Sequence, residues 1–258
     1  PEGETGLRRL DVPVSFAYIE EVRGCNSESK CFVRCTVTAV KAHAVNSRKM
    51  SVTVKLCFEV TAYQQSELCH TQSIQPADEQ LEVLYQTEDI NLLKKVRNCE
   101  FTILDDLDWK HSEDLELLHT DCMLKQTEAR SNNGRLLLRG EALMQMLMRD
   151  DIGAIEQVTK TVPFTQMLDI DGILEGEKIE VRLAVCSLDC ILAPDDMLSV
   201  GIGVRGIVLT DEMYTVQTIR DLYERKHELG VQIKQLPVQT CKLGERFSAD
   251  SSENMPIG

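Results

Sequence analysis

The clearest pattern along the chain is an alternation of apolar and polar side chains with a period of two. In MSVTVKLCFEVT, residues 50–61, every second side chain is apolar. The apolar positions are Met50, Val52, Val54, Leu56, Phe58 and Val60. This period, with β-branched residues, is typical of a strand that buries one face. We therefore predict a half-buried strand over these residues.

A second segment shows the same period against its local propensity. GRLLLRGEALMQMLMRDD, which begins at Gly134, is rich in helix formers. Its alternate positions are Leu136, Leu138, Gly140, Ala142, Met144, Met146 and Met148. We predict a strand with these residues in the core, paired through a hairpin turn at Asn133–Gly134. Short helices are predicted only within residues 78–90 and 218–229.

The strand pattern occurs twice in the chain. Residues 32–61 align with residues 180–210, which are one residue longer at the end, and each aligned pair is separated by 148 positions. The pairs include Val33 with Val181, Val37 with Val185, Met50 with Leu198 and Val52 with Val200. Residues 11–15 match 161–165, and residues 82–93 match 220–231, at slightly different separations. One length difference in each connecting loop indicates duplicated domains.

These patterns predict a mainly β protein with two tandem, related, antiparallel β-sandwich-like domains and short helices in the connections. The predicted units are residues 1–77, a linker at 78–114, residues 115–225 and a linker-like tail at 226–258. Too few residues precede Val12 for the hairpin that opens the second unit. We therefore expect an uncovered sheet edge in the first unit, which a neighbouring subunit covers, unless the chain is trimmed from a longer one.

Charge and hydropathy exclude several classes of partner. The net charge is −14, so the surface repels nucleic acid and anionic lipid. No apolar run is long enough for a membrane span, and the N-terminus has no apolar signal-peptide region. The acidic stretch at residues 104–116 is interpreted as a solvated linker.

The segment GIGVRG, Gly201–Gly206, has the spacing of a dinucleotide-binding turn. Such a turn follows a strand and opens a helix whose N-terminus holds pyrophosphate. The repeat instead aligns these glycines with the strand segment 53–58. We predict a strand and no cofactor, although Asp221 lies about where a ribose-binding acid would fall.

No catalytic motif is present, so no catalytic residue is predicted. HExxH, the P-loop and the GxSxG elbow are all missing from the sequence. His119 with Cys122, and His70 with Cys69, leave a scattered metal site as an alternative to unconnected surface residues. We therefore predict no metal and no enzyme activity.

Several segments together resemble a known family, the SPOCS domain. They are GRLLLRGEALMQMLMRDD, VPFTQMLDIDG, EVRLAVCSLDC, MLSVGIGVRGIVL and DLYERKHEL. The SPOCS domain occurs in SipL-like spore coat and spore envelope assembly proteins of endospore-forming bacteria. The shared motifs are structural, so the resemblance implies no catalytic residue. The LysM module of some relatives is missing from this sequence, so cell-wall binding is not implied.

The ten cysteines do not repeat between the two copies, so they are not predicted to form a disulfide of the domain fold. Cys57 aligns with Arg205, and Cys186 and Cys190 align with Thr38 and Ala42. If the segments are strands, cysteines four residues apart are too distant to bond to each other. The candidates for intermolecular disulfides are Cys57, Cys186, Cys190, Cys69, Cys241 and Cys25.

The resemblance and the cysteines imply a structural protein of the spore surface, coat or exosporium. Such a protein is made in the mother-cell cytoplasm without a signal peptide, assembles with itself into a lattice or fibre, and contacts other spore coat or exosporium proteins. Its thiols would oxidise after exposure. The alternative is a non-polymerising adaptor that recruits other coat assembly proteins. A small-ligand or metal-binding β protein would need converging His and Cys side chains.

Overall fold

The computed structural model describes residues 16–19, 21–46, 49–65, 67, 69–74, 81–109, 115–150, 152–193, 197–225, 230 and 232. Eight strands are present: β1 (Lys30–Asn46), β2 (Lys49–Tyr63), β3 (Leu81–Asp108), β4 (Glu116–Asn132), β5 (Arg135–Arg149), β6 (Ile155–Asp169), β7 (Ile179–Ala193) and β8 (Met197–Glu224). These residues contain no helix. The prediction of a mainly β protein is confirmed.

The strands form three antiparallel sheets, with orders β1–β2, β3–β8–β7 and β4–β5–β6. The two three-stranded sheets face each other, with β4 against β7 and β6 against β3. One apolar core fills the space between them, which is the arrangement of a β-sandwich. The central strands β5 and β8 contribute most of the fully buried side chains.

Strand β5 confirms the interpretation of the methionine-rich segment. Its alternate side chains, from Leu136 to Met148, are buried in the core. Tertiary packing therefore overrides the helix propensity of the segment. The preceding turn has positive φ at both central residues, 41° at Asn133 and 81° at Gly134. These angles fit the two-residue hairpin turn that was predicted.

The prediction of two short helices is wrong. Residues 81–90 belong to β3 and residues 218–224 belong to β8. They pair with each other, so that Leu84 faces Asp221 and Tyr85 faces Ile219. The ladder supplies the backbone hydrogen bonds that a helix would otherwise make within itself. Residues 78–80 and 226–229 lie outside the described residues.

Strand β3 also corrects the interpretation of the acidic stretch. Residues 104–108 are not a solvated linker but the end of β3, where Leu104 pairs with Gly201 of β8. Asp106 and Asp108 are exposed and Asp105 is half-buried, while Trp109 just beyond the strand is buried. Most of the segment predicted as a linker is therefore a 28-residue strand of the sandwich.

The hairpin β1–β2 and the hairpin β7–β8 share their register. Val37 pairs with Leu56, and the aligned Val185 pairs with Val204. Each pairing is followed by a bulge, one residue long, at Thr38 and at the aligned Cys186. The polar side of β1–β2 brings Phe32 and Tyr63 against Ile207 and Leu209 of β8. Part of β8 is therefore buried on both faces.

The sequence pattern predicted that the apolar side of β1–β2 is buried, but most of its side chains are exposed. Cross-strand partners place twelve apolar side chains on this side, which we call the hairpin face. They are Val33, Cys35, Val37, Val40, Ala42, Ala44, Met50, Val52, Val54, Leu56, Phe58 and Val60. Val54 is 45% exposed and Val40 is 61% exposed. Among the described residues, only the rings of Phe16 and Tyr18 approach it in aromatic contacts, both at Phe58.

One buried polar group in β8 allows a stability prediction. Thr210 is 1% exposed, and its hydroxyl has no hydrogen-bond partner among the described residues. We expect Thr210→Val to raise the free energy of unfolding by about 1 kcal/mol, since it removes an unsatisfied hydroxyl and keeps the shape. Urea unfolding measures the change. The exposed Thr161→Val is the control, and a loss of stability in T210V would contradict the assignment.

Candidate assembly site

A groove of about 1200 Å³ is lined by residues of β1, β3, β4, β7 and β8. Five cysteines line it: Cys31, Cys35, Cys99, Cys122 and Cys186. We call it the cysteine groove. Its charged side chains carry both signs, with Arg34 and Arg205 beside Glu100 and Asp121. The groove is therefore a mixed polar and sulfur-rich surface, and it lacks the uniform charge of a site for a phosphate ligand.

The last glycine of GIGVRG makes room for this groove. Gly206 pairs with Cys99 on one side and with Leu183 on the other. A Cβ atom at this position would lie 2.9 Å from Cys99 Sγ and 2.7 Å from Leu183 Cδ2. Real Cβ atoms do not approach other heavy atoms so closely. The backbone carbonyl oxygen of Arg182 would lie 2.7 Å from the same Cβ and cannot move aside as a side chain can, so glycine is required here.

The other glycines of the motif lie inside β8, as predicted. Gly203 faces Ser187, whose hydroxyl would collide with a Cβ atom, whereas the nearest atom to a Cβ at Gly201 is 3.7 Å away. The strand continues to Glu224, so no helix N-terminus follows the glycines. Asp221 is a strand residue paired with Leu84. The segment has no phosphate-binding geometry.

Burial controls the chemistry of three thiols. It raises the pKa of Cys99 to about 11. It also raises the pKa of Cys122 to about 11, with smaller contributions from Asp121 and Cys190. The pKa of Cys190 is raised by burial and by Asp189, against a hydrogen bond with Thr120 that lowers it. These thiols are protonated at neutral pH, and the thiolate is the nucleophile in disulfide exchange.

The six cysteines proposed for intermolecular disulfides have different environments. Cys57, Cys69 and Cys186 are exposed, while Cys25 and Cys190 are half-buried. Cys190 packs against the sandwich core, which makes it the weakest of these candidates. Cys241 lies outside the described residues. The nine described cysteines are all free thiols, so no pairing among them is present.

Sequence reasoning missed the cysteine groove because its members come from separate strands. Cys31 and Cys35 are exposed on β1, and alternation alone places both on its apolar side. No sequence pattern places Cys99 and Cys122 near these residues, because which side chains surround them depends on how the two sheets pack. Only Cys186 of the groove was among the proposed residues.

Thiol accessibility predicts an order of alkylation. We expect Cys57, Cys69 and Cys186 to react with iodoacetamide in the native protein well before Cys99 and Cys122. A pKa near 11 leaves about one thiol in a thousand ionised at pH 8, and burial hinders access further. Peptide mass spectrometry after timed alkylation measures the order, with urea-unfolded protein as the control. Equal native rates at all sites would contradict it.

The described residues form no candidate metal site and no membrane-spanning helix. They contain no group of three or more His, Cys, Asp or Glu side chains placed to hold a metal ion. His119 and Cys122 lie three residues apart on β4, without a third ligand from this part of the chain. No helix among the described residues is long and apolar enough to cross a membrane.

Most strands of the described residues lie at the edge of a sheet. Within the described residues, β1 and β2 each have one neighbour, and β3, β7, β4 and β6 are edges of the two larger sheets. Only β5 and β8 have a neighbour on both sides. An edge strand carries unpaired N–H and C=O groups, which another chain can pair with by strand addition.

Comparison with known proteins gives one match. A family model described as "SipL, SPOCS domain" matches residues 115–192, from just before β4 to the end of β7. The resemblance drawn from the sequence is confirmed over these residues, and the family indicates a role in spore coat assembly. No curated protein and no solved structure matches the chain significantly.

Proposed function

We propose that this chain is a non-enzymatic structural protein of the spore envelope, in the coat or exosporium, that assembles with copies of itself into a lattice or fibre. The observation that carries the proposal is the SPOCS match across the three-stranded sheet and β7. The proposed subunit contacts are strand edges, reinforced by disulfides between subunits. Other spore coat and exosporium proteins are the further partners.

The sheet edges support the self-assembly part of the proposal. Six of the eight strands are edges within the described residues, and β1 and β2 are 17 and 15 residues long. Long edges with unpaired backbone groups are the surfaces that natural monomers usually shorten or cover. A protein that polymerises has a use for them, because each edge pairs with a strand of the next subunit.

The thiols support covalent reinforcement after assembly. Cys57, Cys69 and Cys186 are exposed, so they are accessible to a neighbouring subunit. In a reducing cytoplasm these thiols would stay free, and they would oxidise once the envelope is exposed. Each disulfide forms between two thiols, which lose two protons and two electrons to an oxidant such as molecular oxygen.

Electron microscopy of the purified recombinant chain tests the proposal. We expect ordered lattices or fibres, and higher species on non-reducing electrophoresis after exposure to air. Combined serine substitutions at Cys57, Cys69 and Cys186 should weaken the covalent ladder but leave the non-covalent assemblies. Cys122→Ser is the matched control at a buried site. A dilute, stable monomer under both redox conditions would overturn the proposal and favour the adaptor.

A further inference from the structure

The hairpin face is an uncharged surface on a strongly acidic protein. All twelve of its side chains are apolar or sulfur-containing, whereas the whole chain carries a net charge of −14. Eight of the residues are Val, Leu or Phe in cross-strand pairs such as Val40 with Val54. Contiguous apolar patches larger than a few hundred Å² are rare on soluble monomers and mark interaction sites.

The aligned face of the hairpin β7–β8 is buried, and it shows how an apolar surface of this kind packs when another sheet covers it. The counterparts of Val33, Val52 and Val54 are Val181, Val200 and Ile202, and all three are buried in the sandwich core. The two hairpins have the same register and the same bulge position. The hairpin face therefore has the pleat and the apolar composition of a sandwich interior, without its covering sheet among the described residues.

The missing cover is two strands wide. In the sandwich, β4 lies against β7 and β6 lies against β3, so the middle strand β5 lies over β8. The pair β7–β8 is thus covered by the hairpin β4–β5, whose strands have 17 and 15 residues. Strands β1 and β2 also have 17 and 15 residues. A second hairpin of the same size fits this space.

We propose that the hairpin face binds the hairpin face of a second copy of this chain, so that two β1–β2 hairpins form a four-stranded sandwich about a two-fold axis. This inference rests on the proposed self-assembly, and it identifies the hairpin face as one of the surfaces through which subunits contact each other. A two-fold contact requires a self-complementary patch, and a charge-free face is where two acidic copies approach without repulsion.

The size of the face is sufficient for such a contact. At about 3.3 Å per residue and about 4.8 Å between strands, a hairpin of this length presents about 500 Å². Two copies would bury about 1000 Å² in total, the lower limit for a specific interface. The face contributes no backbone edge, so strand addition at β1 and β2 remains open to further subunits.

A matched pair of charge substitutions tests the inference. Val54→Glu places a carboxylate on the hairpin face, and Thr53→Glu places one at the neighbouring exposed position on the polar side, where Thr53 pairs with Lys41. Sedimentation velocity is run over a range of concentrations with a reductant, so that disulfides do not contribute. We expect dimers for the unmodified chain and for T53E. In V54E the dissociation constant should rise at least about 100-fold, because an unpaired charge would be buried.

Further measurements separate the outcomes. Circular dichroism establishes that V54E is folded, and Val40→Glu on the facing strand gives an independent variant with the same expectation. If V54E and V40E dimerise like the unmodified chain, the inference is wrong while self-assembly through edges or disulfides stands. If the unmodified chain is monomeric and shows no assembly under any redox condition, both proposals fail. A monomer in which the Cys35 thiol, on the hairpin face, resists alkylation in the native state would show that residues of the same chain cover the face, which also overturns the inference.

Discussion

Replacing Gly140 with alanine is expected to lower the free energy of unfolding by about 3 kcal/mol, at the upper end of the range for overpacked cores. Gly140 lies at the centre of β5, where a Cβ atom would be 2.5 Å from Phe164 Cζ and 2.6 Å from the carbonyl oxygen of Lys125. The ring cannot withdraw freely, because Phe164 also packs against Phe101 across the sandwich, with ring centroids 5.9 Å apart.

Urea unfolding followed by circular dichroism measures this loss. The matched control is Gly201→Ala in β8, where the nearest atom to the added Cβ is 3.7 Å away. This control should change the stability by less than about 0.5 kcal/mol, since no atom has to move. Similar losses in the two variants would show that strand propensity, rather than the contact with Phe164, determines the effect.

The second large effect is a difference in stability cost between alanine substitutions at two aligned residues. Ile202 is 0% exposed in β8, whereas its counterpart Val54 in β2 is 45% exposed. We expect Ile202→Ala to cost about 4 kcal/mol, because it leaves a cavity in a packed core. Val54→Ala should cost under about 1 kcal/mol in the dilute, reduced chain, where little apolar area is lost from contact.

The comparison is made at low protein concentration, since association would add its own contribution to the apparent stability of the wild type. Thermal unfolding at several concentrations provides the control, because only an associating species has a concentration-dependent midpoint. A cost for V54A as large as that for I202A in the monomer would mean that the hairpin face is already covered within one chain.

Alternation predicted the core strands well because each of them turns one face toward the core and, over most of its length, the other toward solvent. The pattern from Leu136 to Met148 gave β5 its correct type and its correct buried face, against helix propensity. The same method failed around Tyr85 and Ile219. Those segments carry apolar and polar side chains on both sides and contain no buried residue, so no core imposes a period on them. Their strand state comes from pairing with each other. Non-local pairing of this kind leaves little signal in the local sequence.

The candidate site was predictable only in part. The sequence indicated that Cys57 and Cys186 are on outward positions, and both are exposed. It could not indicate that Cys186 shares a groove with Cys99 and Cys122, because sheet packing brings these strands together. The alternation in β2 correctly gave an apolar face but not its exposure, since a pattern shows what a face can bury and not whether a partner is present.

Strands β3 and β8 run side by side as a ribbon of 28 residues each, from Leu81 paired with Glu224 to Asp108 paired with Met197. At about 3.3 Å per residue, this ribbon has a contour of about 90 Å. A pull along the strands would load its hydrogen bonds in parallel, so that many must break together rather than one after another. Such a ribbon would resist extension along the strands, which suits it to carrying tension between subunits of the proposed assembly.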